Sequence, residues 1–263
     1  MKKIFLALFA LVGTMSMNAQ VMKVVKNGEE VAKYNGVDYE FVFEEAKAST
    51  TTGTAKATIG GSEVNVNWVQ LWENGPKFAE YNVGVTDGKA ESCGGYYCWG
   101  SSINKDSNRA YKDGTAALTG TDDTATNLWG SNWRMPSQAE LQALLDNCDV
   151  EECAVNGVNG RKFTGKNDYA SNSVFLPAAG GYGNGNVNGQ GTLGYYWSTS
   201  PDGKFYAYDL RFYSGSLSVL GSDRGYGFSV RAVLVENSAA TSYNEGPITI
   251  GDGSGIELGE ENW

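Results

Sequence analysis

The sequence predicts an α+β fold in which one amphipathic helix accompanies many short strands and long glycine-rich loops. Three observations support this prediction: a helix start signal at Ser137, short alternations of apolar and polar residues, and a segment at 178–193 in which glycine recurs nearly every second residue. A segment this rich in glycine cannot pack a core alone. We therefore expect it to form loops that are held by a rigid scaffold.

The amino-terminal residues 1–20 are typical of a secretory signal peptide. Lys2 and Lys3 precede an apolar run at residues 4–12, and a small polar stretch ends at Ala19 and Gln20. The apolar run is shorter than the roughly 20 residues that span a bilayer. We therefore predict an exported protein, extracellular or on the outer cell surface, whose mature chain has no transmembrane segment. A periplasmic location is the alternative.

Composition divides the rest of the chain into four segments. Residues 21–45 alternate apolar and polar side chains around Asn27-Gly28, a strong hairpin signal, and are predicted to form a small β segment. Residues 46–63 are rich in Thr, Ala, Ser and Gly and are predicted to form a linker. Residues 64–236 form the main domain, and the acidic, glycine-rich residues 237–263 are predicted to be a disordered tail.

The main domain contains one convincing helix. Ser137 is the expected N-cap, and Glu140 stands where it would complete a capping box. Leucines at one face of the following turns form an apolar stripe, and the helix is predicted to end near Asn147.

Charge and composition argue against several classes of function. The formal net charge is -10, from 30 acidic and 20 basic side chains, so no basic patch for nucleic acid or an anionic membrane is expected. The chain contains no histidine, which excludes a histidine-ligated zinc site and a catalytic triad built on histidine. We predict neither a cofactor nor a bound metal.

The four cysteines form two groups with the same C-x4-C spacing, Cys93 with Cys98 and Cys148 with Cys153. In an exported chain, an even number of cysteines predicts disulfides. Two local bridges are favoured, although other pairings are open. Zinc bound by all four thiolates is the alternative to disulfides.

Six sequence blocks occur in order along the main domain: FAEYNVG (78–84), GGYYCWG (94–100), LWGSNWRMP (128–136), ASNSVFLP (170–177), GYYWST (194–199) and GFSVRAV (227–233). These blocks resemble those of the major paralogous domain family. Together they cover residues 64–236. The resemblance implies a C-type-lectin-like, formylglycine-generating-enzyme-like α+β fold with twisted antiparallel strands and one or two helices. It also implies an exported protein of Gram-negative gut anaerobes.

Four tryptophans and two arginines in these blocks are predicted to be structural. Each tryptophan has Gly or Ser close by, which lets a large ring pack over backbone, and burial in the core is the expected role. A guanidinium with five donors is suited to holding irregular backbone or a buried carboxylate. These residues are Trp99, Trp129, Trp133, Trp197, Arg134 and Arg231.

The predicted ligand surface lies in the last strands of the main domain, where relatives of this fold group often bind ligands. Residues 206–213 alternate with period two, so Tyr208, Leu210 and Phe212 should face the core and their neighbours should face outward. Tyr, Arg, Asp and Ser are frequent in recognition surfaces. The predicted ligand residues are Tyr182, Tyr195, Tyr196, Asp209, Arg211, Tyr213, Asp223, Arg224 and Tyr226.

These patterns predict a non-catalytic, adhesin-like or lectin-like protein that binds a glycan or a protein at the cell exterior. No cysteine follows Cys153, so the late cysteine pair of formylglycine-generating enzymes is absent. No carboxylate pair carries a glycosidase motif. Three alternatives stay open: a subunit of a surface appendage that pairs by strand addition, a hydrolase that uses loop carboxylates, and an ordinary solvated sheet face.

Overall fold

A computed structural model shows a chain that is mostly β in the part it describes. The structure describes the strands at residues 21–26 and 29–35, and the backbone and side chains of residues 50–235. Strands account for 44% of the residues and helices for 12%. The predicted α+β, C-type-lectin-like fold is therefore wrong. The predicted signal peptide (1–20) and acidic tail (237–263) lie outside the described residues.

The chain falls into two compact units. In the first unit, β1 (Val21–Lys26) and β2 (Glu29–Asn35) pair antiparallel, with Lys26 opposite Glu29. The second unit, Thr50–Asn237, holds the other described elements.

The described residues of the second unit contain two α-helices, α1 (Thr124–Trp129) and α2 (Gln138–Asn147). Neither is long and apolar enough to cross a membrane. The strands of this unit are β3 (Thr52–Ile59), β4 (Ser62–Gln70), β5 (Lys77–Ala79), β6 (Trp133–Arg134), β7 (Cys148–Val155), β8 (Val158–Gly165), β9 (Ser173–Pro177), β10 (Gly181–Gly183), β11 (Asn186–Asn188), β12 (Gly194–Asp202), β13 (Tyr206–Tyr213), β14 (Ser216–Asp223) and β15 (Val233–Leu234).

These strands form antiparallel sheets. The largest has the order β3-β4-β5-β15-β6. Two three-stranded sheets follow the chain order, β7-β8-β9 and β12-β13-β14, and β10 pairs with β11. Sequence neighbours therefore pair with each other in most of the molecule, and β15 is the exception that returns to β5 and β6.

Three two-residue turns explain why the chain is richer in strands than predicted. Gly60-Gly61, Asn156-Gly157 and Asn184-Gly185 have positive φ angles at both positions. Each turn joins two strands whose flanking residues pair directly. Consecutive positive φ angles are typical of the type I′ turn, whose twist matches that of a hairpin. Segments that composition alone assigned to loops are therefore hairpins.

The predicted linker at 46–63 is wrong over the residues that the structure describes. β3 and β4 pair without a register shift from Thr52 opposite Val69 to Ile59 opposite Ser62. Ala57 on β3 is buried in the core. The small Thr and Ala side chains therefore belong to a strand of the main unit, and the Gly-Gly pair marks a hairpin turn.

Helix α2 confirms the predicted capping box. The Ser137 hydroxyl accepts the Glu140 backbone N–H at 3.2 Å, and the Glu140 carboxylate accepts the Ser137 N–H at 2.7 Å. Arg134 donates to both oxygens of the same carboxylate at 2.6 and 2.7 Å. Leu141 and Leu144 face the core. The cap and the ion pair together fix where the helix begins.

Two hydrophobic clusters lie on opposite faces of the β12-β13-β14 sheet. Trp197 and Ala207 enter the first cluster, and Leu210 and Phe212 enter the second beside α2. The middle of this sheet is therefore covered on both faces. The first cluster also contains three more of the tryptophans predicted to be structural, Trp99, Trp129 and Trp133.

All four cysteines are free in the structure, so the predicted disulfides are wrong. Cys148 and Cys153 lie on the single strand β7. A strand rises about 3.4 Å per residue, which separates their Cα atoms by roughly 17 Å, whereas a disulfide needs less than about 7 Å. Among the described side chains, no group of three or more His, Cys, Asp or Glu could hold a metal, so the zinc alternative has no support either.

We expect the purified chain to carry four free thiols. Burial raises the pKa of the Cys98 thiol to about 11 and that of the Cys148 thiol to about 12, so both should react slowly with an alkylating reagent. Cys93 and Cys153 are partly exposed. Intact mass without reductant should show two rapid additions to the native protein and four in denaturant. A denatured chain that takes up no label would contradict this expectation.

Candidate ligand-binding surface

Large apolar side chains are exposed mainly in one part of the chain. Of the seven that are exposed among the described residues, five lie between positions 205 and 226. Exposed apolar side chains that cluster on rigid strands are typical of interaction sites. The five are Phe205, Tyr206, Tyr213, Leu220 and Tyr226, and the other two are Ile103 and Tyr111.

Strand β13 has the predicted alternation over its second half. Leu210 and Phe212 are buried, whereas Tyr213 is 48% exposed and Arg211 is partly exposed. Arg211 and Tyr213 lie opposite serines of β14 in the antiparallel register. We call the face of β13 and β14 that carries Arg211, Tyr213 and Leu220 the outer face.

Three of the predicted ligand residues are buried, which corrects the expectation that they contact a ligand. Asp209 and Arg224 are 0% exposed and Tyr196 is 1% exposed. Asp209 does lie on the outer face, but its cross-strand neighbour there is Trp197 of the first hydrophobic cluster. The core therefore covers the end of the face that was predicted to be open.

Arg224 is a structural residue. Its guanidinium lies 4.1 Å from the centroid of the Trp99 ring. It also donates four hydrogen bonds of 2.8–3.0 Å to loop carbonyls. Arg224 therefore holds irregular backbone in place, which is the role that was predicted for Arg134 and Arg231. The carbonyls belong to Lys112, Gly114, Gly203 and Tyr206.

A row of stacked side chains borders the outer face. We call Arg211, Tyr195, Phe228, Tyr226 and Arg109, in that order, the aromatic row. The ring centroids of Tyr195 and Phe228 are 4.6 Å apart, and those of Phe228 and Tyr226 are 5.9 Å apart with an interplanar angle of 2°. Arg211 lies 6.0 Å from the Tyr195 ring and Arg109 lies 5.1 Å from the Tyr226 ring. A guanidinium therefore closes each end of the row.

Hydrogen bonds hold both arginines of the row in place. Arg211 donates to Asp209 and to the Ser222 hydroxyl, both at 2.8 Å. Arg109 donates to the Asp223 carboxylate at 3.1 Å and to the Gly225 carbonyl at 3.0 Å. Because the side chains are already ordered, a ligand that contacts them would lose less conformational entropy on binding.

Two members of the aromatic row, Phe228 and Arg109, were not among the predicted ligand residues, and Arg109 is the exposed one. Its φ of 55° lies in the left-handed region, which is unusual for a residue other than glycine. The Asp106 carboxylate accepts the backbone N–H groups of Asn108 and Ala110 at 2.9 and 3.2 Å, which stabilises the turn that presents Arg109. An Asp two residues before an Asn is a local turn signal, but it does not show what the turn contacts.

Glycines of strand β10 lie against the aromatic row. A Cβ atom at Gly181 would lie 3.0 Å from the Phe228 ring, and one at Gly183 would lie 3.1 Å from the Tyr226 ring. Tyr182 lies between these glycines, is partly exposed, and forms an antiparallel bridge with Gly227. The glycines therefore let this strand pack directly against the rings.

The buried carboxylates have structural partners. In the part of the chain that the structure describes, these are Asp106, Asp123 and Asp209. Asp123 caps α1 by accepting the Thr126 N–H at 3.0 Å and also accepts the Met135 N–H. Burial raises the pKa of Asp209 to about 6 despite the opposing effect of Arg211.

Two clefts open on the second unit. One, of about 350 Å³, lies between the β7-β8 hairpin, the loop before β12 and the end of β13; we call it the Tyr213 cleft. The other, of about 390 Å³, lies beside α2 and is lined in part by the paired Arg134 and Glu140. Only the first adjoins the outer face. Its lining residues are Glu152, Asn159, Gly160, Arg161, Ala178, Gly191, Thr192, Leu193, Phe212, Tyr213 and Ser214.

Residues 147–233 match a protein family described as a domain of unknown function (DUF8237). The matched segment contains the sheet β12-β13-β14, the Tyr213 cleft and four members of the aromatic row, but not Arg109. No curated protein and no solved structure matches the chain. The resemblance to the major paralogous domain family stays a prediction.

Proposed function

We propose that this chain is a non-catalytic binding protein that acts at the cell exterior and holds a glycan or protein ligand on its outer face and aromatic row. The observation that carries the proposal is that three of the seven large apolar side chains exposed among the described residues, Tyr213, Leu220 and Tyr226, belong to this face and row. The amino-terminal charged and apolar pattern supports export.

The physical character of the surface supports binding. Tyrosine gives a large contact area and loses little side-chain entropy on binding, and serine offers adaptable hydrogen bonds. Tyr213 and Tyr226 are exposed by 48% and 42% on the same part of the chain, and the serines of β14 are partly exposed between them. Strand β13 holds Tyr213 and stacking within the aromatic row holds Tyr226, so the surface is formed before a ligand arrives.

We expect Tyr226→Ala to weaken ligand binding by about tenfold, because the truncation removes a preorganised ring of the row. Tyr226→Phe should retain most of the affinity. The matched control is Tyr206→Ala, which removes another exposed tyrosine at the start of β13, outside the row. The measurement is binding of the labelled chain to a glycan array and to mucin and extracellular-matrix proteins, followed by titration of each hit.

Equal affinity for all three variants and the unchanged protein would contradict the proposed surface. A chain that binds none of these probes would contradict the proposed function.

A further inference from the structure

We infer that the Tyr213 cleft is a subsite for one neutral sugar ring of a glycan chain. This inference rests on the proposed binding function and names the class of ligand. The cleft has a volume of about 350 Å³, which lies in the range of small-molecule sites, about 300–1,000 Å³.

The lining of the cleft matches the two kinds of surface that a sugar ring presents. The exposed Tyr213 and the partly exposed Leu193 supply the apolar surface against which the C–H face of the ring can pack, whereas Phe212 is buried. Glu152 supplies acceptors for hydroxyl groups at the ring edge. A few placed polar groups on a largely apolar wall are typical of sites that bind small molecules.

The charges of the cleft favour a neutral occupant. Arg161 and Glu152 form an ion pair at 2.9 Å, so their charges offset each other. The Arg161 side chain is only 13% exposed, donates to the Tyr213 carbonyl at 3.1 Å and lies 5.9 Å from the Phe212 ring. The Arg161 guanidinium is therefore already engaged, and the whole chain has a net charge of -10. An anionic sugar would find no free cation in this cleft. The Glu152 side chain is 63% exposed and can accept hydrogen bonds from hydroxyls.

Hydrogen bonds hold the cleft open before a ligand binds. The Ala178 N–H donates to the Asn159 carbonyl at 2.7 Å, and the Gly191 N–H donates to the Ala178 carbonyl at 2.6 Å. The Asn159 side chain donates in turn to the Gly191 carbonyl at 3.0 Å. Gly189, with φ of 73°, leaves room for the Leu193 side chain to fold over it. The glycine-rich segment is therefore tied to β8 and forms a fixed wall.

The position of Tyr213 links the cleft to the proposed surface. Tyr213 lines the cleft and is also exposed on the outer face, so a chain of sugar units that fills the cleft can continue onto that face. The neutral rings that a protein could insert, those of Phe, Tyr, Trp and Pro, carry at most one donor for the Glu152 carboxylate, whereas a sugar ring carries several hydroxyl groups. The occupant to which we commit is therefore a neutral glycan.

The test compares Glu152→Gln with Glu151→Gln in titrations with neutral hexose and N-acetylhexosamine oligosaccharides, beside sialylated and sulfated ones. Both glutamates are exposed, but they are consecutive on β7 and therefore point to opposite sides of the strand. We expect Glu152→Gln to weaken binding of a neutral glycan by about tenfold and Glu151→Gln to leave it unchanged. Thr192→Trp, which adds an indole at the cleft, should weaken binding as well.

Four outcomes would overturn the subsite. The first is that binding of a neutral glycan depends on Tyr226 but not on Glu152, and the second is that the two glutamine variants lose the same affinity. The third is that the chain binds acidic glycans selectively, and the fourth is that it binds proteins alone. Each of these leaves the proposed function standing whenever Tyr226→Ala weakens the binding. A chain that binds no glycan and no protein overturns the subsite and the proposed function together.

Discussion

Replacing Arg231 by methionine is expected to lower the free energy of unfolding by about 4 kcal/mol, because several buried acceptors would lose their only charged donor. Arg231 is 1% exposed. Its guanidinium donates to Asn82 at 2.9 Å and to the carbonyls of Ala79, Glu80 and Phe175. These bonds join the end of β5 to β9. Methionine fills part of the same volume but donates no hydrogen bond.

Arg231 acts as a charged donor at neutral pH. Burial lowers its pKa to about 10, which still leaves it protonated. Equilibrium unfolding in urea, followed by tryptophan fluorescence, measures the loss. Arg109→Met is the control, since that side chain is 39% exposed, and a change below about 1 kcal/mol is expected. If Arg231→Met does not fold, Arg231→Lys should retain a charge and lose less stability. Equal losses for Arg231→Met and Arg109→Met would contradict this role.

Replacing Asp209 by asparagine is expected to remove a fall in stability between about pH 4 and pH 6. The Asp209 side chain is 0% exposed, and burial raises its pKa to about 6 against the lowering effects of Arg211 and Ser222. Its Oδ1 atom has no hydrogen-bond partner among the described residues. The hydrogen bond from Arg211 therefore offsets only part of the cost of burying the charged Asp209 carboxylate.

The sign of the effect follows from the two pKa values. The pKa of Asp209 is about 6 in the folded chain and the reference value is 3.8, so between them the folded state binds more protons than the unfolded state. Stability must then decrease as pH rises through this window, by at most roughly 3 kcal/mol, and stay level above it. Asparagine can still accept the Arg211 hydrogen bond but does not titrate.

The measurement is the free energy of unfolding from pH 4 to pH 7 for the unchanged chain and for Asp209→Asn. The difference between the two proteins is the quantity to compare, because other carboxylates make stability rise with pH. Glu140 is one of these: burial raises its pKa, but hydrogen bonds from Arg134 and Ser137 outweigh burial and lower it. Asp149→Asn, at a side chain that is 80% exposed, is the control. A difference that stays constant with pH would show that Asp209 does not titrate in this window.

Elements that depend on near neighbours could be predicted from the residues alone. The cap of α2 needs only Ser137 and Glu140, which stand three positions apart and bond to each other's backbone. The alternation of β13 follows from its apolar residues, because successive side chains on a strand point to opposite faces. The I′ turns at Asn156-Gly157 and Asn184-Gly185 are equally local, and reading them as hairpins would have favoured a mostly β fold.

Two features could not be predicted in this way: which outward residues meet solvent, and which distant residues contact each other. Asp209 lies on the predicted face of β13, but Trp197 and the first hydrophobic cluster cover its side chain. Arg109 reaches Asp223 across 114 positions of sequence, so no local pattern could place it in the aromatic row. Burial and long-range contacts depend on how sheets pack, and packing is set by the whole set of side chains that fill the core together.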